Sequence, residues 1–195
     1  MTTLYSEYVP ILKKTMRAKP VDIARDLDTL HHWMNQPYVS EFWSMAWPKD
    51  KIKHYIEQCQ EKPDFDIFIA FMDDEPMAYF ELYAPATDII GKYYPVREGD
   101  MGLHVLIGEE KYQKRHIIRL STMMMRLVFN AFTHVQHVMG EPDVDNKQVQ
   151  GVMKFIGFKW IENITLPDKI GALHSLNKED FILAHGLTPP NGQNK

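Results

Sequence analysis

The sequence predicts a mixed α/β domain built on one central sheet flanked by helices. Three observations carry this. Short apolar runs of strand length alternate with stretches of helical spacing along most of the chain. Asp66–Phe71 and Met77–Tyr83 flank the turn Asp73-Asp74-Glu75-Pro76, which is a hairpin signature. Gly102–Ile107 is an apolar strand that leads through a polar, basic segment into a long helix.

The elements follow in order. A first helix is expected over 20–35, opening at Pro20, with apolar residues Ile23, Leu27, Leu30 and Met34 on one face. Pro48 marks the start of a second helix over 49–60. The hairpin comes next. Residues 84–100 hold two prolines and two glycines, and a connection of that length is commonly functional or flexible. After strand 102–107, residues 108–115 read as a basic turn and 116–132 as a helix rich in Leu, Met and Ile. His137–Glu141 is a further strand. A helix opens at Asp145-Asn146 and ends at Gly157, a residue suited to a left-handed C-cap. Residues 159–165 and 171–177 close the sheet. The reading is a single domain over 1–186 and a loose tail over 187–195 ending Pro-Pro-Asn-Gly-Gln-Asn-Lys.

Composition narrows the function. With 195 residues, 45% hydrophobic and 25% charged, the chain has ordinary globular proportions and enough length for a sizeable core. The formal net charge of -4, with no basic half, argues against nucleic-acid binding, which needs clustered Lys and Arg. No leader-like start and no run of about 18 apolar residues is present, so a cytoplasmic protein with no membrane partner is expected. The single cysteine, Cys59, allows no intrachain disulfide; it reads as a buried apolar residue, with a catalytic thiol as the alternative. His31-His32 is a poor metal pair, because adjacent helical residues point apart, and no metal is expected. Met123-Met124-Met125 reads as core packing.

The segment 102–119 carries the first chemical signal. A helix N-terminus offers unpaired backbone N–H groups and a positive dipole end, which suit a pyrophosphate. Lys111, Lys114, Arg115 and Arg119 add positive charge there. A solvated basic turn is the plain alternative.

The helix that begins at Asn146 and ends at Gly157-Phe158 resembles the closing helix of the GNAT acyltransferase superfamily. Many members carry a Tyr where this chain has Met153, which has no proton to give the departing thiolate. The segment Gln113-Lys114-Arg115-His116-Ile117-Ile118 also lacks the glycines usual in the family's pyrophosphate turn. Three segments narrow the resemblance: His32-Trp33-Met34-Asn35 with Val39 and Phe42-Trp43; Gly99-Asp100-Met101-Gly102-Leu103-His104-Val105-Leu106-Ile107-Gly108; and Glu141-Pro142-Asp143-Val144-Asp145-Asn146 with Gly157-Phe158 and Leu166-Pro167-Asp168-Lys169. Together they are similar to the GNAT acyltransferases of hydroxamate siderophore biosynthesis, over roughly residues 20–175.

The resemblance implies an α/β (α+β) GNAT fold with a mixed, mostly antiparallel sheet. It implies an enzyme that uses acetyl-CoA or another acyl-CoA to acylate N6-hydroxylysine or an N-hydroxylated diamine. His104 and Asp143 match the family's candidate catalytic pair. His32, Trp33 and Asn35 match its acceptor-pocket segment, with Glu81 and Tyr83 as weaker acceptor candidates. Val105, Leu106, Ile107, Lys114, Arg115, His116 and Asn146 fall where coenzyme A is held. The chemistry is coherent, because a hydroxylamine nitrogen is mostly neutral near pH 7 and histidine suits removal of its proton. Asp143 either orients the imidazole or binds the substrate N–OH. Taken alone, His104 is equally a strand histidine with a satisfied hydrogen bond, and Asp143 a helix cap. An aminoglycoside N-acetyltransferase and a non-catalytic binding module of the same fold are the competing functions. The acyl group, the acceptor and the oligomeric state are not legible.

Overall fold

The computed structural model describes residues 4–187, with the side chain of Arg115 not described. The expected tail, apart from Leu187, lies outside the described residues. The eight strands form one sheet in the order β1-β2-β3-β4-β5-β6-β8-β7. They are β1 Tyr5–Val9, β2 Lys14–Pro20, β3 Phe65–Met72, β4 Glu75–Tyr83, β5 Asp100–Ile107, β6 His137–Gly140, β7 Lys159–Thr165 and β8 Ile170–Asn177. The helices are α1 Ile23–Met34, α2 Pro37–Trp43, α3 Lys49–Glu61, α4 Glu110–Ala131, α5 Lys147–Ile156 and α6 Lys178–His185. β1–β2, β2–β3, β6–β8 and β7–β8 pair antiparallel, whereas β5 and β6 pair parallel, with Asp100–Gly102 opposite His137–Met139.

The chain gathers into two compact units, one made of residues up to Leu82 with His104–Arg115, the other of Tyr83–Leu103 with residues from His116 onward. In the first, Leu30, Trp33 and Met34 of α1, Ile52 and Ile56 of α3, and Ile67, Ile69, Tyr79 and Leu106 of the strands form one buried cluster. In the second, Phe129 of α4 packs on Phe181 of α6 with ring centroids 5.4 Å apart, and Met123, Met124 and Met125 are buried as expected. No described helix is long and apolar enough to cross a membrane.

Two expectations are corrected, and several short elements are added. Pro20 ends β2 instead of opening a helix; α1 starts after Asp22, whose carboxylate caps the N–H of Ala24 at 2.9 Å. The first twenty residues hold the hairpin β1–β2, and α2 and α6 were likewise not foreseen. Their shortness leaves too few residues for a periodic signal. The long connection 84–100 contains two short 3-10 turns, Pro85–Thr87 and Ile89–Lys92. Helix α4 starts at Glu110, six residues earlier than expected, so Glu110–Arg115 are helical and not a turn. Lys, Gln and Arg are good helix formers, and the charge that suggested a turn is compatible with a solvated first helical turn.

Candidate active site

β4 is apolar from Met77 to Tyr83 except at Glu81. Period-two geometry puts Tyr79 and Glu81 on one face of that strand. Glu81 is buried, and its carboxylate has three donors around it. Tyr55 of α3 and Tyr79 donate to Oε1, at 2.6 and 2.8 Å. Nδ1 of His104, on β5, lies 2.9 Å from Oε2. Burial pushes the Glu81 carboxyl upward; the hydrogen bond and charge of His104, then the two hydroxyls, outweigh it and hold the group below its usual range. Burial, followed by the nearby Glu81 charge, raises both tyrosines, so they stay protonated donors. Trp43, the last residue of α2, stands edge-on to both the His104 and Tyr79 rings, with centroids 6.3 and 6.0 Å away.

Glu81, expected near the acceptor, is thus turned onto the imidazole. Tyr55 and Tyr79 were missed. The available signal was Glu81 itself, since a charge within an otherwise buried strand needs partners. Cys59 is fully buried on α3, and burial first, then the Glu81 charge, pushes its thiol up to about 11. That is the reverse of an activated nucleophile.

The segment 32–35 forms the end of α1, with Asn35 as its C-cap. Trp33 is buried, its ring covers Gly108, and its Nε1–H donates to Glu109 Oε1 at 3.1 Å. Tyr38 of α2 donates to the Gly108 carbonyl at 2.6 Å. These two aromatics therefore clamp the turn between β5 and α4. Asn35 ties the end of α1 to Trp47, donating to the His31 and Trp47 carbonyls at 2.9 and 3.2 Å. His32 is exposed, with the Gln36 amide 3.2 Å from its ring nitrogens.

At the start of α4, Gly108 and Glu109 N–H groups both point to the Met77 carbonyl, which fastens the turn to β4. The Ile107 carbonyl is capped by the Gln113 amide at 2.7 Å, Leu106 is buried and Val105 is exposed. Lys114 pairs with Glu110 at 2.7 Å and Lys111 with Glu75, both at the exposed start of α4. Lys111, with its hydrogen bond, is also the main reason the Glu75 carboxyl lies below its usual range. His116 is a half-buried residue of α4.

In the second unit, Tyr83 packs its ring on Gly102 and donates to Glu141 at 3.3 Å, with Lys169 3.6 Å from the other carboxylate oxygen. Tyr83 is buried, not open to solvent. Asp143 accepts the Asp145 N–H at 2.8 Å and bridges to Gly171. Asn146 caps α5 by accepting the Val149 N–H at 3.1 Å, and Gly157 ends that helix at φ +114°. Met153 is buried, on α5. No group of three His, Cys, Asp or Glu among the described residues could hold a metal ion.

Residues 22–166 match the acetyltransferase (GNAT) domain family. The chain is 32% identical over 174 residues to the N(5)-hydroxyornithine:cis-anhydromevalonyl coenzyme A-N(5)-transacylase of Beauveria bassiana, covering 87% of this chain and 38% of that protein. It is 26% identical to the N-hydroxyputrescine acetyltransferase of Acinetobacter baumannii, covering 84% and 78%. The chain spans about half the length of the first curated relatives it matches, between 38% and 59%. Among solved structures, an uncharacterized Bacillus halodurans protein aligns at TM-score 0.85 and 29% identity, covering 91% of each chain. An aminoglycoside acetyltransferase in complex with coenzyme A aligns at 0.75 and 18%, covering 85% and 96%, a likeness of fold alone. With the sheet order, the strand-to-helix turn after β5 and the match over most of its length, this chain belongs to the acetyltransferase (GNAT) domain family.

Proposed function

We propose that this chain transfers an acyl group from an acyl-CoA to the hydroxylamine nitrogen of an N-hydroxylated diamine or N6-hydroxylysine, forming a hydroxamate for siderophore biosynthesis. The observation that carries the reading is a histidine on β5 bound to a buried carboxylate, in a GNAT domain whose relatives bear the names of hydroxylamine acyltransferases.

The acceptor nitrogen is neutral and attacks the thioester carbonyl. The C–N bond forms, the C–S bond breaks, and the thiolate leaves with its electron pair. His104 takes the proton that the nitrogen loses. Backbone N–H groups of Val105–Ile107 polarise the carbonyl. Since the His104 Nδ1 is engaged by Glu81, Asp143 is assigned to the substrate N–OH, the second of its two expected roles. The start of α4, with Lys114, Arg115 and His116, takes the pyrophosphate of coenzyme A, and Asn146 is kept as a further candidate for holding coenzyme A. His32 and Asn35, both exposed, remain candidates for the acceptor. Trp33 packs on Gly108 and Glu81 holds His104, so these two act through those residues, and Tyr83 is kept as an acceptor candidate.

The test is thiol release from acetyl-CoA or succinyl-CoA with N-hydroxyputrescine, N-hydroxycadaverine, N6-hydroxylysine, their parent amines and one aminoglycoside. Turnover with a hydroxylamine and not with its parent amine is the expected outcome. Turnover with the aminoglycoside alone would transfer the chain to that substrate class.

A further inference from the structure

We propose that Glu81 is a positioning residue that sets the tautomer of His104, and that Tyr55 and Tyr79 in turn fix the orientation of Glu81. The inference rests on reading His104 as the base.

The argument starts from donor inventory. An ionised carboxylate only accepts hydrogen bonds. Nδ1 of His104 stands 2.9 Å from Oε2 of Glu81, so Nδ1 must carry the hydrogen. In a neutral imidazole the lone pair then belongs to Nε2. Oε1 is taken by two hydroxyls, at 2.6 and 2.8 Å, and this fixes which carboxylate oxygen faces the ring. Tyr79 leaves β4 two residues before Glu81 on the same face, while Tyr55 reaches in from α3, so the carboxylate is held from two elements.

During the reaction the acceptor nitrogen's N–H bond breaks and the proton moves to Nε2. The Nδ1–H stays in place, and Glu81 is not protonated. The imidazolium so formed has its second N–H on a buried anion, where a charge-assisted bond is strong and little screened. Glu81 therefore acts through His104 and touches no substrate.

Glu81→Gln separates this role from simple packing. With Tyr55 and Tyr79 still donating as they do to Oε1, the amide oxygen stays on their side and the NH2 turns toward Nδ1. The amide then donates to Nδ1 and forces the proton to Nε2, where the base is needed. Long-range proton–nitrogen spectra of protein labelled with 15N-histidine, recorded well above the imidazole pKa, report the tautomer directly; His104→Ala identifies the signal. In the unmodified protein the proton is expected on Nδ1, and in Glu81→Gln on Nε2. kcat with the acceptor is expected to fall by ~10³–10⁴-fold, the scale seen when a catalytic histidine is held in the wrong tautomer. KM for acyl-CoA should stay within about threefold. Glu81→Asp keeps an acceptor-only partner and is expected to retain the Nδ1–H form with partial activity.

A proton on Nε2 in the unmodified protein overturns the proposal, as does loss of kcat in Glu81→Gln with the tautomer unchanged. If Glu81→Gln does not fold, the unmodified and Glu81→Asp spectra still decide it. Undiminished turnover in His104→Ala would instead remove the base assignment, a result separate from the tautomer measurement.

Discussion

A methyl group added at Gly108 would place its Cβ 1.9 Å from the Trp33 ring. Such a contact must displace either the indole or the turn, and Trp33 is fixed by its bond to Glu109 as well as by burial. Gly108→Ala should therefore cost about 1–3 kcal/mol, the range for overpacking a close-packed site. It should also raise KM for acyl-CoA, because the displaced turn opens α4. Combining it with Trp33→Leu relieves the clash, and a double-mutant cycle by thermal unfolding should show the two changes to be non-additive. An additive result would mean that the turn does not depend on the clamp. Residues of this kind explain what the sequence revealed and concealed. His104 and Asp143 could be singled out because the Gly-Leu-His and Glu-Pro-Asp segments are contiguous. Trp33 is conspicuous for the same reason, but its contact with Gly108 spans more than seventy residues of chain and is not legible locally. Tyr55 and Tyr79 were invisible, because nothing in a tyrosine's local sequence says that its hydroxyl ends on a distant carboxylate.

Periodicity found the long elements and missed the short ones. The hairpin β3–β4, the long α1, α3 and α5, and the closing strands all carry enough residues for a repeating pattern. β1 and β2 have five and seven residues with mixed polarity, and their place at the end of the sheet order comes from pairing with β3, not from a local preference. The start of α5 offers a test of element and site together. Asn146 accepts the Val149 N–H through Oδ1. Asn146→Ala should cost ~1 kcal/mol, as loss of an N-cap does, whereas Asn146→Asp keeps the cap and its stability. If the side-chain amide also contacts coenzyme A, Asn146→Asp will raise KM for acyl-CoA at an unchanged melting temperature. Wild-type kinetics in Asn146→Asp would restrict this residue to capping.

For the molecule as a whole, two buried groups set how stability responds to acid. His174 lies on β8 between Gly140 of β6 and Trp160 of β7. Its Nδ1–H donates to the Ala172 carbonyl at 2.7 Å. Burial lowers its pKa, and that hydrogen bond only partly offsets the effect. Below the ordinary imidazole value of 6.5, the unfolded chain takes up a proton that the folded one resists. Stability from this residue therefore falls as pH drops through 6.5 toward the lowered native value. Glu81 acts in a lower window. Its folded carboxyl lies below the ordinary 4.5, so its contribution is complete above that value and is lost as pH falls through the folded pKa. Denaturant midpoints measured across this range should decline in two stages. His174→Gln, which cannot titrate, should flatten the upper stage and leave the lower one. Glu81→Gln should do the reverse, and it should do so whether or not a substrate has been found, because folding senses the buried carboxylate directly. An upper stage that survives His174→Gln would place the titrating group on another of the nine histidines.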